Sequence, residues 1–320
     1  IEPETDLEFE GSSRSLRFDR MYNSLDPTGG VFGKGWSSIL DVRLEVETEC
    51  ARFVMADGRH VVFPREGAGW ARAMDSNYWL RSEPGNPLRH DGIDSGGVLV
   101  VRDNQGARWV MSAAGTWLSV RSGLGDHVVV SRDDSGRVVE LRHARGHTIS
   151  VKYREGSLVS AIAASDGRIV EYHYNQSRQL TDVTTAAGTR QYRWNMEGLI
   201  DQVVGANGVV ECENTYDDRG RVLTQLTPHG RNIRFAYLSG RVTSVADEDG
   251  TNGNTWLADH KGRLIGIIDT DDHRQSMSYD AHGNLVSITE RDGHTTVHAY
   301  DARGRRTRTV TPEGADTCYS

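Results

Sequence analysis

Apolar and polar residues alternate with a period of two along most of this chain, between turns rich in glycine and aspartate. In one such run Ile149, Val151 and Tyr153 share one face, and Ser150 and Lys152 share the other. Side chains of an extended strand point alternately to its two faces, so this alternation is typical of a half-buried strand. The pattern therefore predicts β-strands joined by hairpin turns.

The turns recur in a fixed register. A Tyr-Asp-x-x-Gly-Arg turn is clearest at 216–221 and 300–305, with Asn in the last place at 279–284. Its aromatic position is filled by Tyr153, Tyr174, Trp194, Tyr216, Tyr237, Tyr279 and Tyr300, with Ala258 in the remaining slot. A second turn is centred on Gly146, Gly167, Gly188, Gly208, Gly230, Gly250, Gly293 and Gly314, with Asp272 in one place. The second turns lie 20 to 22 residues apart, and such a period marks an array of one stacked supersecondary unit.

Each repeat has room for two strands and two turns. At about 3.3 Å per residue, two strands of roughly six to eight residues use the period and leave no place for a helix. A lone hairpin is marginally stable in water, so successive hairpins are expected to join into one twisted antiparallel sheet. We predict an all-β fold: an array of antiparallel β-hairpins forming a strongly curved sheet, preceded by an irregular all-β N-terminal domain. The predicted domains are 1–126 and 127–320, the second with about nine repeats of period 21.

The first 125 residues are also predicted to form strands and turns, but their turns do not follow the 20- to 22-residue spacing of the repeats. Strands are predicted at 16–22, 39–46, 51–55, 59–63 and 98–102. Asp57-Gly58 and the turn at 104–106 are hairpin signals. This part holds five of the seven tryptophans, Trp36, Trp70, Trp79, Trp109 and Trp117. They fit either a core that caps the array or a platform that stacks on sugar rings, and surface exposure separates the two.

Composition limits the partners. The formal net charge is −8, and no basic cluster is long enough to follow a phosphate backbone, so nucleic acid is not expected as a partner. No apolar run approaches the length of a membrane span. Cys50, Cys212 and Cys318 are few and odd in number, which argues against a disulfide framework. Because the chain begins at Ile1 rather than Met, we expect it to be a piece of a longer protein.

Candidate chemical motifs each have a simpler explanation. The glycines around Lys34 lack the Walker pattern, and turn glycines account for them. His294 and His298 would lie about 13 Å apart on a strand, too far to share a metal. A third ligand is missing near His143 and His147, which are expected to be solvated turn residues.

Asp269, Asp271 and Asp280 only partly imitate a calcium loop, because Arg274 occupies the place of its glycine. No local motif suggests a catalytic triad, although triads are assembled in space. We therefore expect no enzyme activity, no catalytic residue, no cofactor and no metal. The repeat aromatics and glycines named above are the predicted structural positions.

The motifs resemble a known family. Residues 127–320 resemble the YD repeats of RHS (rearrangement hot spot) proteins, a family related to bacterial wall-associated proteins, the C component of insecticidal toxin complexes and animal teneurins. The N-terminal part is similar to the domain that precedes these repeats in bacterial toxins, through Arg20-x-Tyr22-Asn23-Ser24, Phe32-Gly33-x-Gly35-Trp36, Asp57-Gly58-Arg59 and Val62-Phe63-Pro64. The resemblance implies a β-cocoon, a spiral of hairpins that encloses a C-terminal toxin. The aspartate- and proline-rich autoprotease segment that ends this shell in the family has no counterpart here.

The resemblance implies a structural role in bacterial competition. The expected function is that of a shell segment of a secreted RHS-type polymorphic toxin, which encapsulates a toxin domain outside this chain. Expected partners are the remainder of the shell and the enclosed toxin, with a secretion spike protein or a chaperone as further partners. The protein would be produced in the cytoplasm and delivered to the exterior or a target cell, in one branch by type VI secretion. The alternative is an adhesive or carbohydrate-binding surface module.

Overall fold

A computed structural model describes residues 2–9, 16–74, 76–84, 97–123, 125–154 and 157–319. Over these ranges the regular structure is β-strand, with short 3₁₀ turns and no α-helix. The chain forms two compact units. Unit 1 comprises Ile1–Ala73, Tyr78–Leu199 and Val204–Gly208, and unit 2 comprises Met74–Asn77, Ile200–Val203 and Val209–Ser320.

Unit 1 contains two small antiparallel sheets from the N-terminal part of the chain. The first has three strands, β1 (Glu2–Leu7), β2 (Phe18–Tyr22) and β3 (Trp36–Ser38). The second has four strands, β4 (Arg43–Val46), β5 (Cys50–Val54), β6 (His60–Glu66) and β7 (Gly69–Trp70). Their buried side chains include Phe18, Trp36, Phe53 and Phe63. The N-terminal sequence therefore builds a core from aromatic residues.

The rest of unit 1 is a run of strands in which each pairs with the next. They are β8 (Tyr78–Glu83), β9 (Val98–Asp103), β10 (Arg108–Met111), β11 (Trp117–Arg121), β12 (His127–Arg132), β13 (Val138–His143), β14 (Thr148–Tyr153), β15 (Val159–Ala164), β16 (Ile169–Tyr174), β17 (Leu180–Thr185) and β18 (Gly188–Trp194). Every pairing is antiparallel, as expected for consecutive hairpins. The next strand, β19 (Ile200–Val204), is divided between the two units.

Unit 2 continues the same pattern. Its strands are β20 (Val210–Tyr216), β21 (Val222–Leu226), β22 (Asn232–Leu238), β23 (Val242–Asp247), β24 (Asn254–Ala258), β25 (Leu264–Asp269), β26 (Arg274–Tyr279), β27 (Leu285–Thr289), β28 (Thr295–Tyr300), β29 (Arg306–Val310) and β30 (Asp316–Cys318). Each pairs antiparallel with its successor. The predicted all-β array of antiparallel hairpins is confirmed.

The first turn of a repeat is capped by its aspartate. The Asp217 carboxylate accepts the backbone N–H groups of Arg219 and Arg221 at 3.0 and 2.9 Å, and the Arg221 guanidinium donates to it at 2.8 Å. Gly220 has a φ of +74°, which glycine adopts without a steric cost. The register shifts by a β-bulge at Tyr216. The motif therefore encodes a bulged hairpin turn with its polar groups satisfied.

The repeat aromatics join neighbouring first turns. Each reaches a backbone carbonyl at the start of an earlier strand, 14 to 16 residues back. The bonds are Tyr153 to Val138 (2.8 Å), Tyr174 to Val159 (2.8 Å), Trp194 to Leu180 (2.7 Å), Tyr216 to Ile200 (2.5 Å), Tyr237 to Val222 (2.8 Å), Tyr279 to Leu264 (2.8 Å) and Tyr300 to Leu285 (2.9 Å). Since that carbonyl directly follows the previous first turn, the bond ties each turn to the next.

The arginine of the turn covers the next tyrosine. The Arg221 guanidinium lies 4.2 Å from the ring centroid of Tyr237, and Arg263 lies 4.9 Å from Tyr279. A guanidinium within about 6 Å of an aromatic face is attracted by its quadrupole. The Tyr and the Arg of the motif thus act between repeats as well as within one.

Two details differ from the sequence-based prediction. Residues 39–46 were predicted as one strand, but Ile39–Asp41 form a 3₁₀-helix with a capping box between Ser38 and Asp41, and the strand begins at Arg43. The hairpin run also begins before residue 127: the turn predicted at 104–106 is closed by Asp103 N–H to Ala107, and two turns that were not predicted are closed by Ser112 N–H to Thr116 and Ser122 N–H to Asp126. The boundary between sequence domains 1–126 and 127–320 stays a prediction.

The tyrosine hydroxyl bond should be measurable by itself. We expect Tyr216→Phe to lower the free energy of unfolding by about 1 kcal/mol, because one hydroxyl-to-carbonyl bond is lost. We expect Tyr216→Ala to cost about 3 kcal/mol or more, because ring packing is lost too. Urea unfolding of the three proteins measures both. Tyr319→Phe is the control, since that exposed hydroxyl makes only a 3.4 Å contact with Thr309. An unchanged Tyr216→Ala protein would disprove the packing role.

The turn aspartates should make the array sensitive to acid. Desolvation alone would raise the pKa of Asp259, but the backbone N–H groups of Arg263 and Lys261 and the Arg263 guanidinium lower it to about 2. A depressed carboxyl pKa stabilises the fold above the unfolded-state pKa of 3.8, and that contribution is lost as the pH falls towards 2. We expect Asp259→Asn to be less stable at pH 7 and to lose less of its melting temperature between pH 4 and pH 2. An identical loss in both proteins would contradict this assignment.

Candidate functional site

A buried ion pair lies where the N-terminal segment meets the repeats inside unit 1. Strand β2 places Phe18, Arg20 and Tyr22 on its buried face, so Arg20 points into the core. Its guanidinium donates to the two Asp6 oxygens of β1 at 2.5 and 2.8 Å. The Arg20 side chain is 0% exposed and that of Asp6 is 4% exposed. Removing one partner would leave an uncompensated buried charge, so the pair fixes β1 against β2.

Four aromatic rings surround the guanidinium. Its central carbon lies 4.6 Å from the ring centroid of Trp36 and 5.5 Å from that of Phe32, both in the N-terminal segment. It lies 5.4 Å from the ring of Tyr172 and 5.9 Å from that of Tyr192, both in the repeats. Among the described residues Arg20 Nη1 has no hydrogen-bond partner, and the ring faces add to the compensation that Asp6 gives the guanidinium. We call Asp6, Arg20, Phe32, Trp36, Tyr172 and Tyr192 the arginine cage.

The cage joins the N-terminal segment to the repeats by polar contacts as well. Tyr172 donates its hydroxyl to Asp6 at 2.6 Å, and Arg190 donates to Glu4 at 2.7 Å. The Val159 N–H donates to the carbonyl of Val31 at 3.0 Å. Three repeat strands thus hold the N-terminal segment: β16 through a hydroxyl-to-carboxylate hydrogen bond, β18 through an ion pair and β15 through a backbone hydrogen bond.

Burial and charge shift the protonation equilibria in the cage. Desolvation alone would lower the pKa of Arg20, but the Asp6 carboxylate and the Tyr192 and Tyr172 hydroxyls raise it above its ordinary value. Burial raises the pKa of Tyr172 and of Tyr192. The arginine therefore stays charged and both hydroxyls stay protonated at any physiological pH. The charges of Arg20, Tyr172 and Tyr192 therefore stay the same over this pH range, and these groups are not suited to proton transfer.

The glycine-rich loop around Lys34 packs beside the cage. The Asp41 carboxylate accepts the N–H of Val31 at 3.0 Å and that of Ser38 at 2.8 Å. A side chain on Gly30 would overlap this carboxylate, and one on Gly33 would come within 2.7 Å of the Arg178 carbonyl. The glycines therefore allow close backbone packing, and the loop amides that Asp41 occupies are not available to a phosphate.

The predicted solvation of His143 is wrong. Its side chain is buried, with Nε2 3.6 Å from the Asp126 carboxylate, while Nδ1 accepts the Arg145 N–H at 3.2 Å. Desolvation lowers the pKa of His143. The imidazole thus accepts a backbone N–H of its own turn, as the aspartate carboxylate does in other turns. His147 stacks on Phe9 with ring centroids 4.6 Å apart.

The other candidate metal ligands make hydrogen bonds and ion pairs within hairpin turns or between paired strands. His294 pairs with Asp292 at 2.9 Å, whereas His298 bonds Thr309 at 3.1 Å. Near the proposed calcium loop, ligand atoms of Asp269, Asp271 and His273 lie within 4.8 Å of one another without Asp280. Asp269 already accepts the N–H groups of Asp271 and His273 at 3.0 and 2.9 Å and pairs with Arg291 at 3.1 Å. Its oxygens therefore cap a turn.

Surface exposure separates the tryptophans. Trp36 and Trp117 are 0% and 1% exposed and belong to the core. Trp70 and Trp79 are half-buried, and the guanidinium groups of Arg65 and Arg72 lie over their rings at 4.9 and 4.7 Å. The two core rings are therefore not available to a sugar, and one face of each of the two half-buried rings is covered by an arginine. Over the described residues, no helix is long and apolar enough to cross a membrane.

The arginine cage predicts a large difference between two neighbouring arginines. We expect Arg20→Met to lower the free energy of unfolding by about 3 to 5 kcal/mol, because Asp6 would be left buried and unpaired. Arg17→Met is the matched control: the Arg17–Asp19 pair is 39% and 47% exposed, and such pairs contribute at most about 1 kcal/mol. Urea unfolding measures both. Equal effects would show that burial of the Arg20 pair adds nothing.

Comparison with known proteins gives matches in both parts of the chain. Residues 1–63 match the family model described as "Domain of unknown function (DUF6531)". Residues 216–251, 259–295 and 279–316 match the model described as "RHS Repeat". Arg20, Phe32 and Trp36 of the cage lie in the first match, and Asp217 and Asp259 of the capped turns lie in the second.

Two curated relatives carry toxin names. The chain is 28% identical over 281 residues to "Double-stranded DNA deaminase toxin A" of Burkholderia cenocepacia (strain H111), covering 81% of this chain and 18% of the relative. It is 24% identical over 331 aligned residues to "Probable deoxyribonuclease RhsB" of Dickeya dadantii (strain 3937), covering 81% and 22%. The chain thus spans about a fifth of the length of these relatives.

Solved structures give weaker likenesses. The TcdB2-TccC3-Cdc42 crystal structure matches with 14% identity and a TM-score of 0.44, covering 82% of this chain and 15% of that one. The Tc holotoxin pore of Photorhabdus luminescens matches with 11% identity and a TM-score of 0.43, covering 94% and 22%. Because both TM-scores lie below 0.5, the assignment of the family depends on the sequence matches and on the hairpin register. By those criteria the chain is an RHS/YD-repeat protein.

Proposed function

We propose that this chain is a segment of the shell wall of a secreted RHS-type polymorphic toxin. In this proposal the wall encloses a C-terminal toxin domain of the same protein, and the N-terminal segment seals part of it. We assign no catalytic step to the chain. The support comes from one apolar surface of the repeats, which is covered in unit 1 and half-exposed in unit 2.

That surface is defined by the residue two positions before each turn aromatic and by its cross-strand partner. We call it the stripe. In unit 1 it includes the pairs Val151–Ile162 and Tyr172–Val183, all four side chains being buried. Phe32 of the N-terminal segment covers Tyr172 with ring centroids 4.8 Å apart. A polypeptide rich in aromatic residues therefore occupies this face in unit 1.

In unit 2 three successive pairs of the stripe are apolar and only half-buried, whereas the pairs Asn214–Gln225 and His298–Thr309 at its two ends are polar. Its apolar pairs are Phe235–Val245, Trp256–Ile267 and Met277–Ile288. None of these six side chains is buried, and in the described range 213–319 no apolar side chain belongs to the buried core. Covering apolar surface contributes roughly 2.5 kcal/mol per 100 Å². A contiguous apolar surface of this kind favours a further polypeptide as its occupant.

The names of the relatives indicate what that polypeptide could be. The two relatives are named as a DNA deaminase toxin and as a probable deoxyribonuclease, and this chain corresponds to about a fifth of each. An enclosed nucleic-acid-modifying domain is consistent with a segment that has no basic stripe of its own. Delivery by a secretion machine, with a spike protein or a chaperone as further partners, belongs to the same proposal.

The test uses the full-length gene product. We expect its C-terminal region to resist a non-specific protease, and we expect Phe235→Ser to make that region cleavable several-fold faster. Leu238→Ser is the control: it lies on the same strand, on the opposite face, and its side chain is already 58% exposed. The measurement is the cleavage rate of the C-terminal region by mass spectrometry.

Two outcomes would contradict the proposal. Equal cleavage of the C-terminal region in the wild type and in a fully unfolded control would show that nothing is enclosed. Specific binding on a glycan array, lost on substitution of an exposed aromatic residue, would support the adhesive alternative instead.

A further inference from the structure

A chain of side-chain amides ties a residue from outside the repeats to one hairpin turn of unit 2. Asn77 donates its Nδ2–H to Oδ1 of Asn284. Asn284 in turn donates its Nδ2–H to the Asp280 carboxylate at 2.7 Å, and its backbone N–H bonds the same carboxylate at 2.9 Å. Asn284 is only 5% exposed. Because a buried amide is costly without partners, its two side-chain bonds fix both its orientation and its neighbour.

Asn284 stands where other copies of the motif carry arginine. The corresponding residues are Arg221, Arg263 and Arg305, and each donates its guanidinium Nε–H to the aspartate of its own turn at 2.8 Å. An arginine is longer and offers only donors, so it cannot accept the Asn77 N–H. An asparagine satisfies the aspartate with its N–H₂ group and keeps a carbonyl oxygen for a second partner. The substitution in the repeat therefore creates an acceptor that the arginine copies lack.

The next turn is adapted to the same side chain. A Cβ added to Gly304 would overlap the Asn77 amide, whereas one added to Gly262 would meet no atom of the described residues within 4 Å. Both glycines occupy the same place in their turns and have similar positive φ values, +69° and +82°. The open space at Gly304 is thus filled by Asn77.

We propose that Asn284 is a register key: its carbonyl selects the turn at 280–284, among the copies of the motif, as the attachment point of Asn77. The chemistry recognised is a primary carboxamide from a distant part of the chain. Asp280 orients the Asn284 side chain. Its carboxylate can only accept hydrogen bonds, so it binds the Asn284 N–H₂ group and leaves the Asn284 carbonyl facing Asn77. Gly304 provides the space in which the Asn77 side chain lies.

The test measures hydrogen exchange of the Asn77 side-chain amide by NMR in the 320-residue chain labelled with ¹⁵N-asparagine. The signal is assigned by its disappearance in Asn77→Asp. We expect Gly304→Ala to speed this exchange at least tenfold, and Gly262→Ala to leave it within about twofold of the wild type. The two variants share the backbone strain of an alanine at positive φ, so only the overlap with Asn77 differs.

A second variant keeps the test independent of that strain. Asn284→Arg restores the residue of the other copies and keeps a donor for Asp280, so the turn itself should persist. We expect it to release Asn77 and to speed exchange of the Asn77 amide as strongly as Gly304→Ala. Slow exchange of this amide in both Gly304→Ala and Asn284→Arg would overturn the proposal. Equally fast exchange in Gly262→Ala would do so too, because the effect would then come from backbone strain alone.

Discussion

Neighbouring first turns of the array are tied together by an aromatic side chain that reaches a backbone carbonyl about 15 residues earlier. Six tyrosine hydroxyls and the indole N–H of Trp194 make this bond with nearly constant geometry. Leaving a buried or half-buried carbonyl without a hydrogen-bond partner costs free energy. The aromatic supplies the donor, and the arginine of the preceding turn lies over the rings of Tyr237 and Tyr279. The bond matches the length of the repeat, because the donor lies 14 to 16 residues after its acceptor in these seven copies.

The same repeated stripe lies in two environments. In unit 1 it is buried under N-terminal aromatics that are held by the arginine cage, and in unit 2 the corresponding side chains stay half-exposed. Repeats in both units therefore carry apolar pairs at the same positions, and in unit 1 the N-terminal segment packs on them. The cage keeps one such segment in place with a charge that no water solvates. An ion pair buried this deeply adds little net stability, but it penalises any other position of the segment.

Much of the fold could be predicted because the turns carry their own chemistry. Asp217 and Gly220 specify a hairpin whatever surrounds them, so the array was visible in the sequence. The turns at 112–116 and 122–126 were missed because serine hydroxyls replace the aspartate cap, with Ser112 and Ser122 accepting at 3.1 and 3.2 Å. The 3₁₀-helix at Ile39–Asp41 was missed although Ser38-x-x-Asp41 is a local capping-box pattern, because residues 39–46 were interpreted as one strand. The further bond from the Val31 N–H to Asp41, ten residues away, could not be predicted from local pattern.

The site was harder to predict than the fold. Only one local feature of the sequence points to Arg20: it is a charged residue on the same strand face as the apolar Phe18 and Tyr22. Its partners Tyr172 and Tyr192 lie 152 and 172 residues later, where the alternating pattern marks them only as core. His143 was read as solvated because histidine is a rare turn cap, and its burial depends on Asp126 of the preceding hairpin.

A structure of the full-length gene product would show whether a polypeptide covers the stripe of unit 2. We expect continuous polypeptide density against this stripe, in contact with Phe235, Trp256 and Ile288, and hairpins joined by the aromatic-to-carbonyl bonds. A stripe that faces bulk solvent in the full-length protein, with no polypeptide on it, would disprove the enclosure.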